Sequence, residues 1–442
     1  MLTWNDMVDM PSPLKTEGVD VLRVSLGKNT YNTCNPGIGD ADGDGLDEIA
    51  IPVIENDQCR VDLYDGQGEL RWRNDKLSFF NYYYNDMESY KGNHWHAHTK
   101  HRHLFTRIFD VDGDGKAEVV VADGPVYILD ALTGEIKSTI DLNAHVQVWC
   151  PARIFGSHRP PAIVAGIEKR GGGCAVIAID STSKVVWETE VPGRLFYDAI
   201  WAGDVDEDGI DEIVFSIHTE GSMFLADAKG RIRWRKNVRE EIGEDSHIDD
   251  LVIDEVQPGS KQILMATGPA LIDKNGGVLW TRGEDYHHAQ RVLAVPRGSD
   301  LQGKNAYFCE SYKIRSFLLD SDGKEIWCFD GYEKPKPEFA DSVRFRLTTA
   351  GSLMNRGGRP YIVQGIMGGY RGQEEVTGRA QHVATVLDVD GNVAAHLPFE
   401  DQIKGSAAMC ALSGHFRPID SDCVLIITHH DSSFYIFQLP ER

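Results

Sequence analysis

Three groups of residues in this chain have the types and spacing to do chemistry. A histidine-rich run, His94, His96, His98, His101 and His103, includes Trp95 and follows Tyr82, Tyr83, Tyr84 and Tyr90. An acidic pattern occurs three times, as Asp40-Ala-Asp-Gly-Asp-Gly-Leu-Asp-Glu48, Asp110-Val-Asp-Gly-Asp-Gly-Lys-Ala-Glu118 and Asp204-Val-Asp-Glu-Asp-Gly-Ile-Asp-Glu212. A dispersed third group holds Tyr197, His247, His287, His288, Arg344 and Arg346. Imidazole titrates near neutral pH and serves as acid or base, while arginine supplies a fixed cation. Aromatic rings offer flat apolar faces to a sugar. The alternation His94-x-His96-x-His98 also admits a transition metal, although sequence fixes no further strong ligand near it.

The acidic pattern places carboxylates at positions one, three and five, a glycine at six and an acid at nine. Alternating hard oxygen donors around a tight turn are what Ca²⁺ requires. The spacing overlaps the calcium loop of EF-hands, ends earlier, and has a strand-like apolar segment on each side. This reading makes Asp40, Asp42, Asp44, Asp110, Asp112, Asp114, Asp204, Asp206 and Asp208 calcium ligands, with Glu48, Glu118 and Glu212 as additional candidates. Such an ion is structural: it neutralises clustered acids and pins the turn. The competing reading is a set of Asx-type turns without metal.

The elements that must position these groups are repeats. Asp-x-x-Gly-x-x-x-Trp occurs at Asp65 to Trp72, Asp227 to Trp234, Asp273 to Trp280 and Asp320 to Trp327, with Asp180 to Trp187 as a variant. Trp187, Trp234, Trp280 and Trp327 are separated by 47, 46 and 47 residues. That period with short β-rich segments is the signature of a propeller blade. The turn residues make an outer hairpin, and the tryptophan can pack between blades. The expected fold is all-β, a single propeller of eight blades, with seven as the alternative. Its units fall at about 30–73, 103–141, 147–192, 197–237, 247–282, 288–330, 346–399 and 407–442. The last unit lacks an outer strand, which Val19 to Ser25 would supply, closing the ring and removing its exposed edges. Residues 74–102 form a His/Tyr-rich insertion, and further extra sequence surrounds the seventh unit. Loops elaborated on a regular scaffold usually carry function.

In propellers the inner strand of each blade runs from the ligand-binding face to the opposite face. The acidic loops therefore belong on the face away from the ligand, and the starts of the inner strands on the ligand face. Counting seven residues back from Asp110 and Asp204 reaches His103 and Tyr197. The equivalent position in the other units is Thr33, Gln147 or Trp149, His247, His288, Arg346 or Arg344, and about Ala407. A purely structural position would repeat one residue type; this one collects titratable and cationic groups, the expected form of a site at the mouth of a ring. The candidate catalytic residues are His103, Tyr197, His247, His288 and Arg346. Candidate substrate contacts are Tyr83, His96, His98, Gln147, Trp149, Arg194, His287 and Arg344.

The formal net charge of −23 argues against nucleic acid or an anionic membrane as partner. It fits cation binding, and an acidic sugar remains compatible with a locally basic pocket. No apolar run approaches the length of a transmembrane helix, and the N-terminus shows neither a basic region nor an apolar core, so the expectation is a cytoplasmic protein, or a secreted one if a signal has been trimmed. The eight cysteines lie far apart without a CxxC pair, as for reduced core thiols.

The Asp-x-Asp-x-Asp-Gly-x-x-Glu loops before short strands resemble the FG-GAP-type repeats of integrin-like propellers. More specifically, the chain resembles propeller polysaccharide lyases: rhamnogalacturonan, ulvan and rhamnose–glucuronate lyases. Those enzymes place His, Tyr and Arg at the mouth of the funnel, and several bind Ca²⁺. The resemblance implies β-elimination at a uronic acid of a rhamnose- and glucuronate- or galacturonate-containing glycan. It implies Arg346 with one histidine as carboxylate neutraliser, His103 as base and Tyr197 as acid, the split among His103, His247 and His288 being open. Two features depart from the family: no export signal is visible, and some members have seven blades. The alternatives are a non-catalytic glycan- or protein-binding propeller, a PQQ-type quinoprotein, and a glycosidase, for which Asp198 and Asp249 are the nearest carboxylates.

Overall fold

The computed structural model describes residues 8–9, 15–27, 30–32, 36–55, 58–78, 105–122, 124–169, 172–193, 199–217, 221–242, 248–286, 288–297, 303–310, 315–330, 334–339, 343–370, 382–398, 408–428 and 433–440. These residues form an eight-bladed β-propeller of antiparallel sheets. Blade one is irregular: Thr30–Asn32 and Gly37–Gly39 both pair with Glu48–Glu55 and share the innermost position. The first strands of blades two to eight are Phe105–Phe109, Ala144–Ala152, Ile200–Gly203, Leu251–Asp254, Ala289–Pro296, Val343–Arg356 and Ala408–Gly414. From blade three to blade eight, each first strand lies against the next blade's first strand, which makes it the innermost of its sheet.

The burial pattern follows from this arrangement. The second and third strands are covered on both faces and read as continuous apolar runs, such as Glu118–Ala122, Val126–Asp130 and Cys174–Ile179. Outer strands such as Leu70–Asn74 and Ile232–Asn237 are largely exposed, with single residues turned inward.

The 46–47-residue period has a physical cause. In each case the indole N–H of the outer-strand tryptophan donates to a backbone carbonyl in the next blade's outer turn. The pairs are Trp72 to Ala131 at 2.7 Å, Trp187 to Ala228 at 3.0 Å, Trp234 to Lys274 at 3.0 Å, Trp280 to Ser321 at 3.0 Å and Trp327 to Val389 at 2.9 Å. The ring lies on that turn's glycine. A Cβ on Gly134, Gly230, Gly323 or Gly391 would sit 2.6–2.8 Å from it, and those glycines have φ of +71° to +82°. Close approach and left-handed backbone both demand glycine there. Between blades two and three the pair is replaced by Ser138 and Ser183, joined at 2.9 Å.

Asp20–Ser25 pairs along its length with Ser433–Gln438, so the N-terminal strand is the outer strand of blade eight and closes the ring. A further latch ties neighbouring blades. The Asp47 amide donates to the His415 carbonyl, while the His415 amide donates back to the Asp47 carboxylate at 2.7 Å. Asp211 with Arg153, and Asp422 with Asn355, make the same reciprocal pair. Among the described residues, no helix is long and apolar enough to cross a membrane.

Candidate functional site

Each first strand runs from one rim of the ring to the other. The acidic loops follow the first strands, whereas His288 precedes one, so the two lie at opposite rims.

At the acidic rim three carboxylate triplets converge: Asp40, Asp42 and Glu48; Asp110, Asp112 and Glu118; Asp204, Asp206 and Glu212. These sets hold the expected aspartates at positions one and three together with the glutamate at nine. The fifth-position residues Asp44, Asp114 and Asp208 turn back on their own loops and accept the Leu46, Lys116 and Ile210 amides at 2.8–2.9 Å. The ninth-position glutamates join the sets because each opens the second strand and points back into the loop. Each accepts the position-two amide, from Ala41, Val111 or Val205, at 2.8–3.1 Å. In blade five Gln262 opens the strand and its amide oxygen accepts the Val256 and Gln257 amides. The bracing therefore needs no charge, and the charge in the three glutamates is additional to it.

That charge is balanced differently in the three loops. Lys137, on the outer strand of blade two, reaches Glu118 at 2.5 Å and Asp112 at 2.8 Å, and these hydrogen bonds raise its pKa. Arg233, on the outer strand of blade four, spans Asp206 at 2.7 Å and Glu212 at 2.8 Å. At the corresponding place in blade one Arg71 pairs with Asp65 at 3.2 Å. Among the described residues no lysine or arginine reaches Asp40, Asp42 or Glu48. Burial, with the nearby Asp42, Asp44 and Asp40 adding to it, pushes Glu48 up to about 7 against the pull of the Ala41 amide. Glu212 is likewise raised to about 7 by burial, with Arg233 opposing. Hard oxygen donors, convergence and uncompensated charge make loop one the best fit for a divalent cation.

The expected result is that Ca²⁺ raises the melting temperature by a few degrees, corresponding to about 2.7 kcal/mol at one hundred times the Kd. Glu48→Gln should remove most of that gain and Glu118→Gln little of it. Equal losses in differential scanning calorimetry would contradict the assignment to loop one.

At the opposite rim His288 stands immediately before the first strand of blade six. Its φ is +54°, a left-handed conformation that costs a non-glycine residue strain. Its Nδ1 lies 3.6 Å from Oδ2 of Asp249, which is 4% exposed and precedes the first strand of blade five. Its Nε2 lies 3.2 Å from the side-chain nitrogen of Gln290. Thr267 joins the two blades. Its hydroxyl accepts the Asp249 amide at 2.9 Å and faces the Asp249 carboxylate at 3.5 Å, while its carbonyl accepts the Ala289 amide at 3.2 Å.

The other candidates divide into three sets. Gln147 and Trp149 are 0% and 1% exposed on the first strand of blade three. Gln147 donates to Glu168 at 2.9 Å, and Trp149 packs near Phe109 and the Arg107 guanidinium. The strand is covered on both faces there, so neither side chain is open to a sugar. Arg344 and Arg346 lie on the first strand of blade seven, opposite Gly369 and Met367, with side chains outside the described set. His103, Tyr197, His247, Tyr83, His96, His98, Arg194 and His287 lie outside the described residues. Trp201, which is not among the candidates read from the sequence, is 39% exposed on the first strand of blade four. It pairs with buried Val214, whose side of the sheet packs toward blade five. An aromatic on an inner strand, followed by Ala202 and Gly203, was the available signal.

The sequence model of the lambda-carrageenase β-propeller domain matches residues 172–242. No curated protein matches the chain in sequence. Among solved structures, the exotype rhamnogalacturonan lyase YesX is similar at TM-score 0.56 and 16% identity, over 96% of this chain and 76% of that one. The quinohemoprotein alcohol dehydrogenase from Comamonas testosteroni aligns at 0.55 and 11%, over 96% and 78%. BamB from Moraxella catarrhalis aligns at 0.50 and 11%, over 96% and 99%. Proteins of such different roles share the fold, and fold alone does not carry function.

Proposed function

We propose that this propeller is a lyase that cleaves a glycosidic bond at a uronic acid by β-elimination. Its substrate would be an acidic oligosaccharide or polysaccharide containing rhamnose and glucuronate or galacturonate. The observation that carries the reading is His288: a histidine held in a strained conformation at the mouth of the ring beside a buried carboxylate. The carrageenase-domain match and the likeness to a rhamnogalacturonan lyase support a glycan as the ligand class.

The chemistry has three requirements. A cation must neutralise the uronate carboxylate so that the C5 proton becomes acidic. A base must then remove that proton, its electron pair forming the C4–C5 double bond. The C4–oxygen bond breaks, and an acid protonates the departing oxygen. In this reading His288 and Arg346 neutralise the carboxylate, because the carboxylate beside His288 favours its protonated form. His103 or His247 is the base and Tyr197 the acid. Trp201 offers its exposed face to a sugar ring. The acidic loops lie at the other rim, where Ca²⁺ would stiffen the scaffold without touching substrate.

Incubation with a panel of uronate-containing oligosaccharides should produce the ultraviolet absorbance of an unsaturated uronate. Binding to such a glycan without that product would favour a non-catalytic propeller, and absence of both would remove the reading.

A further inference from the structure

The pair formed by Asp249 and His288 has no counterpart in the sequence repeat, since these residues come from different blades and different places in them. Three features converge on it. Asp249 is buried yet turned toward Nδ1 of His288 at 3.6 Å. Thr267, itself 0% exposed, faces the carboxylate with its hydroxyl and holds the start of the next blade's strand with its carbonyl. Gln290, 8% exposed, meets the other ring nitrogen and can either donate to it or, with its amide reversed, accept from it. The imidazole is thus flanked on one side by a buried carboxylate at ion-pair distance and on the other by a group that serves both protonation states.

We propose that Asp249, held by Thr267, is a positioning residue that keeps His288 a cation and aims it at the substrate's carboxylate. The role in catalysis rests on the lyase reading above; the charge coupling of the pair does not. Among the described residues, the charged groups of the adjoining strands have partners of their own. Asp250 takes the Val292 amide at 3.0 Å and lies 3.2 Å from the Arg291 guanidinium. Glu310, across the sheet from Ala289, pairs with Arg315. His247 and His287 neighbour the pair in sequence, so the readout must be specific to His288.

The test is an NMR titration of the His288 ring, assigned by loss of its signal in His288→Asn, in the wild type and in Asp249→Asn. A carboxylate this close should raise an imidazole pKa by about one unit or more, so Asp249→Asn should lower it by that amount. Thr267→Val, which keeps side-chain shape, should lower it by less and in the same direction. It serves as the second arm if Asp249→Asn does not fold. If the active form carries protonated His288, activity persists below its pKa and falls above it. In Asp249→Asn the alkaline limb of kcat therefore moves to lower pH, with KM much less affected. An unchanged His288 pKa in whichever variants fold overturns the pairing. A shifted pKa with an unmoved alkaline limb overturns the positioning role. Absence of product from the wild type removes the lyase reading, while the NMR arm still decides the pair.

Discussion

Replacing His288 by asparagine should lower the elimination rate roughly 100- to 1,000-fold, the usual cost of removing one electrostatic contact to a transition state. The same change should leave the melting temperature nearly where it was. His288 has φ of +54°, and asparagine tolerates that region better than most residues. Relief of strain, worth about 1 kcal/mol, offsets the lost attraction to Asp249. A residue kept for packing would show the opposite pattern, with lost stability and activity falling only in proportion. Steady-state kinetics and calorimetry on the same preparation separate the two. If activity is retained, His288 is not part of the site.

The second large effect concerns the scaffold. Asp62 is fully buried in blade one and accepts from Arg60 at 3.0 Å, Arg73 at 2.8 Å and Tyr64 at 3.2 Å. Burial, with Asp62 beside it, pushes the Tyr64 phenol up to about 12. Arg60 also pairs with Glu55 and donates to the Leu26 carbonyl at 2.8 Å, just beyond the strand that closes the ring. Asp62→Ala should cost about 3–5 kcal/mol, because it removes the buried carboxylate on which the buried Arg60, the part-exposed Arg73 and the Tyr64 hydroxyl converge. As a control, Lys169→Met, which cuts exposed pairs to Glu188 and Glu190, should move the unfolding midpoint far less. Urea unfolding followed by tryptophan fluorescence reads both. Equal midpoints for the two variants would show that the buried network contributes little.

The acidic loops illustrate how far spacing alone reaches. Their existence, tight turns and place after an inner strand were legible, since the glycine and aspartate spacing prescribes the backbone. Which carboxylates converge was not. Asp44 and Glu48 both accept amides of one loop, yet Glu48, entering from the start of a strand, is the one that meets Asp40 and Asp42. Nor could spacing reveal that Lys137 and Arg233 reach into loops two and three while Arg71 turns to Asp65. The count that led to His288 also selected Trp149 and Gln147, because it locates a strand position without saying which way the side chain points.

The sequence by itself determined the all-β class and the repeat, favoured eight blades over seven, and pointed to closure by the N-terminal strand. Each rests on a local rule applied many times: a glycine where an indole presses on a left-handed turn, and alternating apolar segments between turns. Tertiary structure alone decided the pairs that cross from blade to blade, Asp47 with His415, Asp249 with His288, and Thr267 holding both sides of that junction. No spacing in the chain relates Asp249 to His288. Their separation is set by how two sheets pack once the ring is closed, and so is the chemistry that depends on it.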